Sequence, residues 1–310
     1  MRAPFNHAPS LHIALLVILW VLYARHVPRS ALGLLHGWFA LVGLSVLTTY
    51  QHHFIDLPTG VLLGFACLWL WPDQGPSPLA QMAPAVDRKC WRLAGRYAAG
   101  AVVLAALGLW IAGAALWLLW PALSLALVAA IHAVLGAGGF QQGPDGHMSL
   151  AARGLLAPYR LAAWINSRLW TRGDTSAAVR DGVSVGRLPS RREAAAFATV
   201  LSLCAELPIP AGSPPCHAFP MLDLVTPEPL TLRRAAASIA EAQAGGTVLV
   251  CCALGYARSA AAVATWLQAS GRAATIDQAV AELRRVRPRV VLDAAARAAI
   301  AAAAARGPQA

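Results

Sequence analysis

Charge is scarce in this chain. Only 13% of its 310 residues are charged and 58% are hydrophobic, against about 25% and about 45–50% in an ordinary soluble domain. A single soluble globule is thereby excluded. Acidic residues are the scarcest, 14 against 25 basic ones, and all but one of the basic residues are Arg. The net charge of +11 does not mark a nucleic-acid binder, because the arginines are spread along the chain without a basic stripe interleaved with aromatic residues. No nucleic-acid partner is expected. Paired cysteines are lacking too: Cys67, Cys90, Cys204, Cys216, Cys251 and Cys252 have neither CxxC nor disulfide-framework spacing. A zinc ribbon and a disulfide scaffold are excluded, and the second half is expected in a reducing compartment. The first apolar run is not expected to be a cleavable signal. Asn6, His7, Ser10 and His12 precede the first apolar run where Lys or Arg would stand, and no small-residue cleavage site follows.

What is present divides near residue 147. Residues 1–147 hold 7 of the Lys+Arg and 4 of the Asp+Glu, leaving 18 and 10 for the remaining 163 residues. The apolar excess lies in the first part as five stretches, residues 10–24, 30–47, 57–71, 97–120 and 122–140. Each approaches or reaches the about 17–25 residues that a helix needs to cross a bilayer, and Pro121 suggests a tight turn between the last two. Arg25 and Arg29, and then Arg88, Lys89, Arg92 and Arg96, lie in the loops expected inside. Five spans then put the N-terminus and the loop of residues 48–56 outside, and everything after Phe140 in the cytoplasm. The expected organisation is a five-span membrane domain over residues 1–147, a connector over 148–175 that holds an interfacial helix near 151–170, and a soluble domain over 176–310.

In the soluble part, short strand patterns alternate with helix patterns, which indicates an α/β domain. Strands are predicted over residues 183–185, 217–222 and 247–251; residues 199–203 read as a strand or as a helix continuing to Leu207. Ser190 with Glu193, and Thr275 with Gln278, have capping-box spacing, and a last Ala-rich helix starts near Leu292. The predicted strand 247–251 runs into Cys252-Ala253-Leu254-Gly255-Tyr256-Ala257-Arg258-Ser259, followed by a helical run. Such a loop can cradle a phosphoryl group with backbone N–H groups at a helix N-terminus. Gly255 permits the curvature, Arg258 can clamp two oxygens, and the field favours a thiolate nucleophile at Cys252. Ser259 can hydrogen-bond the departing sulfur. Gly186-Arg187 reads as an exposed turn, and Cys204 and Cys216 read as structural.

This loop resembles that of the dual-specificity branch of the protein tyrosine phosphatase superfamily, His-Cys-x5-Arg-Ser/Thr, with Cys251 in place of the His. The resemblance implies a central, mostly parallel sheet flanked by helices and a cysteine phosphatase activity that needs no metal or other cofactor. It also implies a general acid on a separate loop. Pro220-Met221-Leu222-Asp223, 29 residues before Cys252, matches that loop and makes Asp223 the acid.

In the membrane part, Pro9-Ser10-Leu11-His12 and His52-x3-Asp56 fall at one membrane face in the topology above, where ionisable side chains tend to be functional. These motifs resemble the second and third motifs of the type-2 phosphatidic acid phosphatase (PAP2) superfamily. On that resemblance His52 is a nucleophile, Asp56 its partner and His12 the acid of a second site. The family's first motif would precede Pro9, where only eight residues stand, and its third-motif Arg is absent. The expectation is a membrane half incomplete at its N-terminus, or one that persists as an anchor. Together the two resemblances imply a bacterial inner-membrane protein of the kind that fuses these parts. It would hydrolyse phosphomonoesters of proteins or phospholipid headgroups. The alternatives are a silent, membrane-tethered phospho-binding module and a lipid phosphatase acting through the membrane half.

Overall fold

A computed structural model describes residues 9–48, 56–73 and 75–305. In chain order its helices are α1 (Leu11–His26), α2 (Leu32–Thr48), α3 (Asp56–Leu70), α4 (Arg88–Ile111), α5 (Leu119–Ala130), α6 (Leu150–Leu155), α7 (Ala157–Trp170), α8 (Arg191–Ala194), α9 (Pro229–Ala244), α10 (Arg258–Ala269), α11 (Ile276–Val286) and α12 (Ala294–Ala305). The strands are β1 (Ser176–Arg180), β2 (Val183–Arg187), β3 (Thr199–Cys204), β4 (Cys216–Met221) and β5 (Val248–Cys252). Contacts divide the chain into one unit of Met1–Gln81 with Leu150–Leu155 and another of Met82–Ser149 with Leu156–Ala310.

In the first unit α1 and α3 run parallel at close range. A Cβ on Gly60 would lie 2.7 Å from the Ser10 carbonyl oxygen, and one on Gly64 would lie 2.8 Å from that of Ala14. Glycines four residues apart clear one helix face, so the backbones touch where larger residues would hold them apart. Ser10 caps α1 by accepting from the Ile13 N–H at 3.3 Å. At the other end Arg25 pairs with Asp73.

The sequence predicts five spans, whereas three segments among the described residues are long and apolar enough: Arg29–Val46, Arg88–Ile111 and Gly113–Leu135. α1 and α3 have 16 and 15 residues, about 24 and 22 Å at about 1.5 Å per residue, short of a hydrocarbon core of about 30 Å. The predicted turn at Pro121 is also corrected. The chain reverses at Ala112 and Gly113, both at positive φ. Pro121 stands in the first turn of α5, where its missing N–H is not needed. Gly136, at φ 62°, stops the last span at Leu135 rather than at Phe140. α4 and α5 form a tight hairpin: a Cβ on Gly100 would be 3.2 Å from Leu125 Cδ1, and one on Gly108 would be 3.0 Å from the Ala115 carbonyl oxygen in the connection.

The rest of the second unit is built on a sheet of order β1-β2-β5-β3-β4, antiparallel only between β1 and β2. β5 is buried along its whole length, as the continuous apolar run of a central parallel strand requires. One face packs on α9 to α12 through Val183, Val185, Leu201, Val248, Val250, Leu232, Ile239 and Trp266. On the other, Val200, Cys204, Leu249 and Cys251 meet Leu188, Leu207 and Ile209. Residues 199–203 are thus strand rather than helix, and the fold is a helical first half joined to a mixed, mostly parallel α/β domain. The predicted interfacial helix is broken into α6 and α7. Both capping residues act as expected, but only Ser190 with Glu193 closes a full box; Gln278 reaches the Ala274 N–H instead. β1 is not among the predicted strands. Its signal is the two-residue hairpin turn Asp181-Gly182, both residues at positive φ.

Candidate active site

The carboxyl end of β5 leads through residues 253–257 into α10, so the loop lies in the crevice outside the ends of parallel strands, where such sheets bind ligands. Gly255, at φ +79°, turns it. A Cβ there would lie 2.5 Å from the Gly186 carbonyl carbon and 2.8 Å from the Arg187 nitrogen, so no other residue fits against β2. The Gly255 N–H donates to Cys252 Sγ at 3.2 Å, and Ser259 Oγ stands 3.4 Å from the same sulfur. Arg258 through Leu267 of α10 are all buried. Ala260, Ala261, Ala262 and Ala264 give that helix a thin face that lets it approach the sheet and aim its N-terminus at the loop.

Arg258 is 3% exposed and makes a bidentate pair with Glu206: Nη1 donates to Oε2 at 2.7 Å and Nη2 to Oε1 at 2.6 Å. Nη1 also donates to the Met221 carbonyl at 2.8 Å, and Nη2 lies 3.1 Å from Asp223 Oδ1. Burial alone would weaken both charges. For Arg258 the fields of Asp223 and Glu206 outweigh it and hold the guanidinium protonated; for Glu206 the contact with Arg258 outweighs it and lowers the carboxyl below its usual range. The Arg258 Nε–H is buried and has no hydrogen-bond partner among the described residues. Sequence reasoning missed Glu206. Its signal is a lone acid in the apolar run of residues 199–210 just past a buried strand, where an unpaired charge would not be tolerated.

Further contacts fix the loop. Ser167 Oγ on α7 donates to the Ala253 carbonyl. Arg287, fully buried, donates to the Leu254 carbonyl at 2.9 Å and to Asp174 Oδ1 at 2.7 Å, and it lies over the Tyr256 ring. Ala257, the last loop residue before Arg258, is exposed. Arg187 is not the exposed turn residue expected: it is 8% exposed and donates to Glu193 Oε1 at 2.7 Å and to the Leu188 carbonyl at 3.1 Å. Cys251 points to the opposite sheet face from Cys252, because strand side chains alternate. Burial pushes the thiols of Cys251 and Cys204 well up and that of Cys216 up to about 12, which leaves these three inert.

The structure therefore brings Cys252, residues 253–257, Arg258, Ser259 and Asp223 together. In the first unit His12 lies in the first turn of α1 and Asp56, buried, begins α3; the parallel pairing sets them at the same end. His52 lies outside the described residues.

No family model and no curated protein matches the chain. Solved structures do. Tk-PTP in its active form is 24% identical, with 43% of this chain and 97% of that chain covered and a TM-score of 0.39. Human DUSP28 is 19% identical, covering 40% and 89% at 0.37, and PTPMT1 in complex with PI(5)P is 14% identical, covering 41% and 92% at 0.37. The part these structures cover, about two fifths of the chain, resembles dual-specificity and tyrosine phosphatases.

Proposed function

We propose that residues 176–310 form a cysteine-dependent phosphomonoesterase domain, joined by a connector over 148–175 to a membrane domain over 1–147. The observation that carries this reading is the geometry at Cys252: its sulfur accepts from the Gly255 N–H at 3.2 Å and stands 3.4 Å from Ser259 Oγ, on the loop that ends at Arg258, whose Nη2 lies 3.1 Å from Asp223 Oδ1. A phosphoryl oxygen is the complement of a guanidinium edge, and the N-terminus of α10 favours an anion at the same loop. The bound group takes over the edge that Asp223 now shares. Cys252 Sγ attacks phosphorus, the bond to the ester oxygen breaks, and Asp223 gives that oxygen its proton. Water then attacks the phosphocysteine, Asp223 takes a proton from it, the S–P bond breaks toward Ser259, and inorganic phosphate leaves. The substrate class is a phosphomonoester of a protein or of a lipid headgroup.

The hairpin of α4 and α5 supports a membrane placement. Its two ends lie together, and the end of α4 nearest the catalytic loops carries Arg88, Lys89, Arg92 and Arg96. By the positive-inside tendency that end, and the domain after it, face the cytoplasm of a bacterial inner membrane.

The test uses the full chain in detergent with an aryl phosphate. Vanadate-sensitive turnover that Cys252→Ser abolishes is expected. Phosphate binding without any Cys252-dependent turnover would instead identify a silent phospho-binding module.

A further inference from the structure

The two carboxylates facing Arg258 are carried by loops: the Asp223 loop is tied to the cap of α4, and the loop after Glu206 to the segment of residues 142–146 that follows the α4–α5 hairpin. Asp87 caps α4 by accepting from the Lys89 N–H at 2.8 Å. Its second oxygen accepts from Thr226 Oγ1 at 3.0 Å, across 139 positions of sequence. The Lys89 N–H outweighs burial and, with side-chain and backbone donors of Thr226, holds the Asp87 carboxyl below its usual range. Thr226 stands three residues after Asp223, and between them Leu224 is in the left-handed region at φ 59°. That conformation is unfavourable for a branched residue and persists only where the surroundings enforce it. In the segment that follows the hairpin, Gln142 Nε2 donates to the Leu207 carbonyl at 3.2 Å, and the Ile209 N–H donates to the Gly146 carbonyl at 3.0 Å. Both bonds hold the segment that follows Glu206. The Ala218 N–H donates to the Pro144 carbonyl at 2.8 Å, which fixes β4, the strand that leads to Asp223.

We propose that Asp87 and Thr226 are positioning residues: their clasp, at the capped end of a membrane hairpin, sets Asp223 beside Arg258 for proton transfer to the leaving oxygen. This rests on the phosphatase reading above. In the attack of Cys252 on the ester, a misplaced acid harms only substrates whose leaving group needs a proton, and that signature, read in kcat/KM, separates positioning from general destabilisation. Thr226→Val removes the hydroxyl and leaves the cap on α4 intact; Thr226→Ser restores the donor.

The test measures kcat/KM, which reports the steps up to departure of the leaving group, in the full-length protein with phenyl phosphate, whose leaving group needs protonation, and with dinitrophenyl phosphate, whose leaving group departs as a stable anion. For Thr226→Val, kcat/KM on phenyl phosphate is expected to fall on the order of tenfold, part of the about 10²–10⁴ that a general acid supplies. For dinitrophenyl phosphate kcat/KM should equal that of the wild type, and Thr226→Ser should recover the value on phenyl phosphate. Equal losses on the two substrates, or no loss on either, would overturn the proposal. Absence of Cys252-dependent turnover in the wild-type chain would overturn the phosphatase reading, and the clasp with it.

Discussion

At the scale of single residues, the site is governed by one buried ion pair. Removing one partner of such a pair costs about 3–5 kcal/mol, because the other charge is left buried without compensation. The Glu206 carboxyl is lowered in the folded state, so its stabilisation is complete above its unfolded value, about 4.3. It is lost as pH falls toward the lower folded value. Glu206→Gln is therefore expected to be less stable than the wild type at neutral pH, and below about pH 4 the gap should narrow by up to about 1.4 kcal/mol per pH unit. Guanidinium unfolding in detergent at the two pH values checks this; a gap that stays constant with pH would remove Glu206 from the account. Cys252, Gly255, Arg258 and Ser259 were legible in the sequence because they are neighbours in it. Glu206, Ser167, Asp174 and Arg287 were not, because what they hold lies 33 to 113 positions away.

At the scale of elements, periodicity located most strands and helices, and close contact decided their limits. Residues 199–203 fitted either a strand or a helix until pairing with β4 and β5 fixed them as β3. Pro121 suggested a turn that Ala112 and Gly113 make instead, since proline is as well suited to a helix start as to a turn. Gly60 and Gly64 carry the contact of α1 with α3. Gly64→Leu would place a side chain where even a Cβ lies 2.8 Å from the Ala14 carbonyl oxygen and 2.9 Å from Val17 Cβ. The expected result is separation of the two helices, read as loss of a cross-link between cysteines introduced on their facing surfaces; an unchanged cross-link would contradict the packing.

At the scale of the whole molecule, the composition break near residue 147 separates apolar from charged sequence, whereas contacts group the α4–α5 hairpin with the α/β domain. Every bond described around Cys252 lies within that second unit. A chain beginning at Met82 is therefore expected to retain Cys252-dependent turnover of phenyl phosphate in detergent, while residues 148–310 alone, without Asp87 and Gln142, should lose most of it. Equal activity of the two fragments would show that the hairpin contributes nothing to the site.

The sequence by itself determined the order of residues in the Cys252–Ser259 loop, the alternation of strand and helix, and the apolar first half, because these depend on local order and composition. Only the tertiary structure decided which charges neutralise Arg258, where Arg187 is buried, which helices are long enough to span a bilayer, and that the loop after Asp223 is fastened to the cap of α4. Each of these depends on residues distant in sequence meeting where water is excluded, and there an unpaired charge or an unmade hydrogen bond is too costly to leave.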